Sequence, residues 1–153
     1  MVLITFVVVV LRYVFSIGFV WLQESYVWLH GIVFMVGAGY TLAHDGHVRV
    51  DIFYREAPPR TKAAVDLVGA VLLLLPFVIM IGWVAWPYVV VSWLRLEGSR
   101  EAGGLPGVFL LKSVLLLFCV LLGLQGLAMA GRAILTLAGC DGAFGARDGA
   151  PDR

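Results

Sequence analysis

The chain has 153 residues, of which 61% are apolar and only 14% charged, and its net charge is +1. Soluble domains run nearer a quarter charged, so this composition excludes an ordinary water-soluble domain and points to an integral membrane protein. The near-neutral balance, with no basic run, also excludes a nucleic-acid partner.

The first apolar segment covers residues 1 to about 17. It has neither the basic start nor the small-residue cleavage site of a signal peptide, and its apolar character resumes directly after Arg12. Only eleven residues precede Arg12, whereas about 20 are needed to cross a bilayer. Either the helix runs on past Arg12 towards Phe19, or its first turns lie outside this sequence, and the second is the expectation. Residues 16–23 carry a glycine and two aromatics without strong periodicity, which suggests an interfacial turn or short helix. Trp21 and Trp28 suit the headgroup zone, where an indole keeps its N–H wet.

A second segment, about 24–43, is apolar apart from Glu24 and His30. Its Gly31, Gly37, Ala38 and Gly39 allow a neighbouring helix to approach closely. A polar hinge follows, in which His47, Arg49 and Asp51 alternate with Val48, Val50 and Ile52. Such a segment can lie in the membrane surface with its apolar side chains down. On a strand the three polar residues would share a face; on a helix His47 and Asp51 would be neighbours and Arg49 would turn away. Asp45-Gly46 is a turn signal, and Pro58-Pro59 ends any preceding helix.

The third segment, about 61–96, would be on the order of 50 Å long, against a hydrocarbon core of ~30 Å. It must tilt, kink or project, and Pro76 and Pro87 are the places to kink. Trp83, Trp86, Tyr88 and Trp93 are expected to form an aromatic belt at one interface. The outer loop after it carries Glu97, Ser99, Arg100 and Glu101. Leu105-Pro106 opens a fourth segment, about 105–136, with the proline in a first turn that tolerates it. Gly123, Gly126, Ala130 and Gly131 give that helix a small-residue face. The tail, 138–153, is rich in Gly, Ala, Asp and Arg, a composition that favours disorder. Cys119 and Cys140 look like two unrelated thiols, with a spacing that suits no metal site.

The expected fold is therefore an all-α integral membrane domain over residues 1–137. It has four transmembrane helices, an interfacial segment between the first two and an amphipathic cytoplasmic hinge between the second and third. Seven basic residues flank one side (Arg49, Arg55, Arg60, Lys62, Arg132, Arg147, Arg153) and three the other (Arg12, Arg95, Arg100). That bias puts the hinge and both termini in the cytoplasm.

A charge in lipid costs at least ~2.5 kcal/mol even on lenient scales, so Lys112, inside the fourth segment, needs a partner. The expectation is that Glu24 pairs with Lys112 or Arg12; the plainer alternative is snorkelling to the headgroups. Catalysis gets no support: the sequence has no Gly-rich phosphate loop, no Ser/His/Asp arrangement in context and no metal-spaced His/Cys cluster. A bis-histidine haem site would need ligands from facing helices. His30 and His44 instead lie on one helix, about 21 Å apart.

Several features occur in order: Arg12-Tyr13-Val14-Phe15, Trp21-Leu22-Gln23-Glu24, Gly37-Ala38-Gly39-Tyr40, His47-Val48-Arg49-Val50-Asp51, Glu97-Gly98-Ser99, Leu105-Pro106 and Lys112. As a set they resemble the small, Q-type membrane subunit of tripartite ATP-independent periplasmic (TRAP) transporters. The resemblance implies a non-enzymatic inner-membrane subunit with no cofactor of its own. Its expected partners are a large multi-spanning permease subunit, a periplasmic solute-binding protein that delivers an organic acid, and membrane lipids, with sodium coupling in the large subunit. Arg12, Glu24, His47, Arg49, Asp51, Glu97, Ser99 and Lys112 are then the candidate structural or interface residues. A generic membrane anchor for another complex is the alternative that composition leaves open.

Overall fold

The computed structural model describes residues 1–44 and 57–139. All regular structure among them is helical: α1 (Val2–Tyr13), α2 (Val20–Ala43), α3 (Pro59–Leu94) and α4 (Val108–Leu137). Three of these, α2, α3 and α4, are long and apolar enough to cross a membrane. With 12 residues, α1 reaches only about 18 Å and falls short of a ~30 Å core.

Helix boundaries depart from the sequence expectation where a local backbone feature decides them. The first helix does not run on towards Phe19. It ends at Tyr13, and Ser16 takes a left-handed φ of 55° that turns the chain towards α2. No interfacial helix follows, because Val20 to Gln23 already form the first turn of α2 and bring Glu24 into its second. Pro59 opens α3 two residues earlier than expected, since a proline at a helix start gives up an N–H that would have no partner anyway. In contrast, α4 begins only at Val108. Gly107 holds φ at 120°, which leaves Pro106 in the loop rather than in the first turn.

Within α3, residues Gly69–Leu74 widen into a π-helical turn, and the Leu75 N–H reaches back five residues to the Ala70 carbonyl. The wide turn lies just before Pro76, which has no N–H for residue 72 and whose ring crowds that carbonyl. Pro87 sits inside the following regular stretch. Polar side chains in the spans bond to their own backbone: Ser25 donates to the Leu22 carbonyl at 2.7 Å and Thr41 to the Gly37 carbonyl at 2.9 Å. In a bilayer there is no water to do this instead.

The axle of the bundle is α4, which packs against α2 on one face and α3 on another, whereas α1 leans on α2. Small residues set both seams. A Cβ on Gly39 would stand 3.2 Å from the Leu121 Cβ, and Gly31 faces Leu111. On the other face, Gly123 meets Val78, and a Cβ on Gly126 would lie 2.9 Å from the Leu74 side chain. Ala63, Ala70, Ala85, Ala130 and Ala133 are buried on α3 and α4, on either side of a small core of Val78, Cys119 and Leu122. Gly37 and Gly131, equally small, face open space. The outward faces of the helices remain apolar and exposed, Trp83 at 81% and Leu94 at 80% among them. Patches on that scale belong against lipid or another protein.

The seam makes a direct prediction. Gly39→Val should loosen α2 from α4 and lower stability by about 1–3 kcal/mol through overpacking. Gly37→Ala, where a Cβ meets nothing, should be neutral or slightly stabilising. Thermal unfolding of the detergent-solubilised protein distinguishes the two.

Candidate functional site

The end of α3 builds one half of a polar clasp. Its backbone closes with a Schellman cap: the Leu96 N–H donates to the Trp93 carbonyl and the Glu97 N–H to the Ser92 carbonyl. The cap requires a left-handed residue, and Leu96 supplies it at φ 44°, a place usually taken by glycine. The turn swings the Glu97 side chain back over the helix end. There Ser92, fully buried, donates its hydroxyl to Glu97 Oε2 at 2.8 Å.

Lys112 supplies the charge. It stands four residues into α4, about 6 Å along the axis, and its side chain is 13% exposed. Its Nζ donates to Glu97 Oε2 at 2.5 Å and sits 4.0 Å above the centre of the Tyr88 ring. A carboxylate and an aromatic face thus neutralise a cation that lipid would penalise. Nearby, Trp93 Nε1 donates to the Ser113 hydroxyl at 2.8 Å and its ring meets the Phe109 ring edge-on at 4.7 Å, a second α3–α4 tie.

The other half belongs to α2. Glu24 accepts a hydrogen bond from the Ser99 hydroxyl on Oε1 and one from the Leu105 N–H on Oε2 at 2.6 Å. The Ser99 N–H in turn donates to the Leu105 carbonyl at 3.1 Å. One carboxylate therefore clamps both limbs of the loop between α3 and α4. Gly104 leaves the space this needs, since a Cβ there would stand 2.8 Å from Glu24 Oε1 and closer still to Ser99. Arg100 and Glu101 project at the exposed tip.

The structure brings Glu24, Glu97, Ser99 and Lys112 together at one end of the bundle, with partners different from those expected. Lys112 pairs with Glu97, not Glu24. The reason is geometric: Glu97 is carried over Lys112 by the Leu96 turn, while Glu24 faces the loop backbone. Arg12 is exposed on the last turn of α1 and has no ion pair among the described residues. His47, Arg49, Asp51 and the amphipathic hinge that holds them lie outside the described residues, as does Cys140. His30 is exposed beside Phe34, and the His44 ring stacks on Tyr40 at 4.1 Å. Sequence reasoning missed Ser92 and Tyr88. The only signal for Ser92 was a polar residue five places before an acid at a helix end.

Hydrogen bonding sets the electrostatics of the clasp. The Glu97 carboxyl is held below its ordinary value of 4.5 by the bond from Lys112 and then by that from Ser92. The hydrogen bonds of the clasp run between groups of the same chain, an arrangement that joins helices and fixes a loop. Among the described residues no three His, Cys, Asp or Glu side chains gather as metal ligands.

Fold and clasp together define a class: an all-helical protein with three helices apolar and long enough to cross a membrane, whose polar residues at one end bond to one another. The sequence model of the family described as "Tripartite ATP-independent periplasmic transporters, DctQ component" matches residues 1–136, and the chain belongs to that family. It is a TRAP-type small permease subunit, and membership together with the three apolar helices implies the bacterial inner membrane. One similar protein is the "C4-dicarboxylate TRAP transporter small permease protein DctQ" of Vibrio cholerae serotype O1. The two are 33% identical over 88 residues, a stretch that covers 58% of this chain and 38% of that protein. No solved structure matches the chain.

Two outcomes test the clasp. Because Glu97 has a lowered value in the folded state, its stabilisation is complete above 4.5 and is lost as pH falls through the depressed value. Melting temperature should therefore stay level from pH 8 to about 5 and fall below that, and Glu97→Gln should remove part of the acid-side drop. Gly104→Ala should displace Ser99 from Glu24 and raise protease cleavage within residues 98–106, while leaving the helical circular dichroism signal intact.

Proposed function

We propose that this chain braces the large permease subunit of a three-part importer, in which a periplasmic binding protein delivers an organic acid and the large subunit couples its entry to sodium. In this reading the hinge and both termini are cytoplasmic, and the clasp end faces the periplasm. The first segment serves as a fourth span, and residues 138–153 form a loose tail. His47, Arg49 and Asp51 act as a positioning clip against the large subunit or lipid phosphates.

The observation that carries the proposal is the mechanical character of the bundle. Helices α2, α3 and α4 are locked by glycine and alanine seams along their length and by the Glu24 and Lys112–Glu97 ties at one end. Their apolar outer faces are left for a neighbour. A body that packs rigidly inside and stays greasy outside suits a frame that resists the reaction force of a moving transport domain. The loop tip with Arg100 and Glu101 is held stiffly enough to meet a soluble partner, where charged rims set orientation and on-rate.

Co-expression with a TRAP large permease subunit is the test. The two chains should co-purify, and Lys112→Leu should reduce recovery of the complex and transport together. If the large subunit alone, reconstituted in liposomes with its binding protein, transports at the full rate, the brace is unnecessary and the proposal fails. Reversing the tip charges (Arg100→Glu with Glu101→Arg) should leave the membrane complex intact and slow only transport that depends on the binding protein.

A further inference from the structure

At the end of the bundle opposite the clasp, the first turns of α3 and the last turns of α4 flank an open groove of ≈ 300 Å³. Lys62 and Asp66 line it from α3; Gln125, Met129, Arg132 and Thr136 line it from α4; Leu42 of α2 closes its floor. The space equals about ten water volumes, room for a phosphodiester with its adjoining carbons. We infer that this groove holds the phosphate of a membrane phospholipid. The inference needs only that the chain resides in a bilayer and is independent of the bracing role.

Position is the first support. Lys112 and Arg132 are twenty residues apart on one unbroken helix, or about 30 Å, which is the thickness of the hydrocarbon core. With Lys112 just inside one polar boundary, Arg132 and the groove lie beyond the other edge of the core, at headgroup depth. Chemistry is the second. Two cations against one carboxylate leave the groove net positive, and a guanidinium offers the planar fork that phosphate oxygens accept. Arg132 is exposed and, among the described residues, has no ion pair. Lys62 and Asp66 already take part in contacts within the chain, so a phosphate adds to that network. The Thr136 hydroxyl offers a neutral donor one turn beyond Arg132, and Asp66 can accept from a headgroup N–H or O–H. Shape is the third support: Met129, Ala133 and Leu42 give the groove an apolar side along which the first acyl carbons can lie.

Native mass spectrometry of the full chain, released from detergent after exposure to mixed phosphatidylethanolamine and phosphatidylglycerol micelles, tests the inference. The wild type should carry bound phospholipid through delipidation. Lys62→Gln with Arg132→Gln should lower apparent affinity about tenfold or more, the loss expected for charge-assisted contacts. Arg95→Gln with Arg100→Gln removes the same charge at the clasp end and should retain the lipid. If the double variant at the groove aggregates, Arg132→Gln alone serves, with circular dichroism as the check on folding. Equal retention by the wild type and the groove variant overturns the inference. So does loss of the lipid to millimolar inorganic phosphate, which would identify a free-anion site. Failure here leaves the bracing role untouched, because co-purification with the large subunit is a separate readout.

Discussion

A cation inside a bilayer must be neutralised by the protein that carries it, and Lys112 is where this chain meets that constraint. Its ammonium lies against Glu97 Oε2 and over the Tyr88 ring. Glu97 reaches it only because Leu96 adopts a left-handed conformation at the end of α3. An unfavourable backbone angle is thus held in place by a charge pair, and the charge pair is aimed by that angle. Neither element persists well without the other, which makes the α3–α4 junction a single cooperative unit. Ser92, buried beneath Glu97, completes it.

Everything that α4 does follows from its place in the middle. It is the helix that both α2 and α3 touch along their length, so the end ties gain leverage over the whole bundle. Without a hydrophobic force between helices in lipid, close backbone approach is what binds them. Gly39 against Leu121 and Gly126 against Leu74 provide that approach on two faces of α4. Glu24 adds a third constraint by fastening α2 to the loop that joins the other two. The result is a bundle stiffened from inside and apolar outside.

The two ends of this frame differ in kind. At the clasp, acids and bases are consumed by one another, and a short loop is held taut. At the opposite end, Lys62 and Arg132 line an open groove beside the α3–α4 seam. A bilayer imposes both solutions: charges at depth must pair within the protein, whereas charges at the boundary can be met by the headgroups themselves.

Membrane residence, the approximate span positions and the all-helical class were legible in the sequence, because lipid as a solvent demands long apolar helices and composition records that demand. Lys112, Glu97, Glu24 and Ser99 stood out for the same reason, as polar residues in or beside apolar runs. Which of them pair was not legible. Spacing along the chain gave no hint that Leu96, rather than Gly98, would take the left-handed turn, and that choice decides that Lys112 meets Glu97. Equally, Gly37 and Gly39 look alike as letters, yet only Gly39 faces Leu121, because the rotation of α2 about its axis is fixed by packing against α4. The sequence by itself determined what must be buried in lipid and which charges must find partners. Tertiary structure alone decided the partners, since these follow from the direction in which each helix end points.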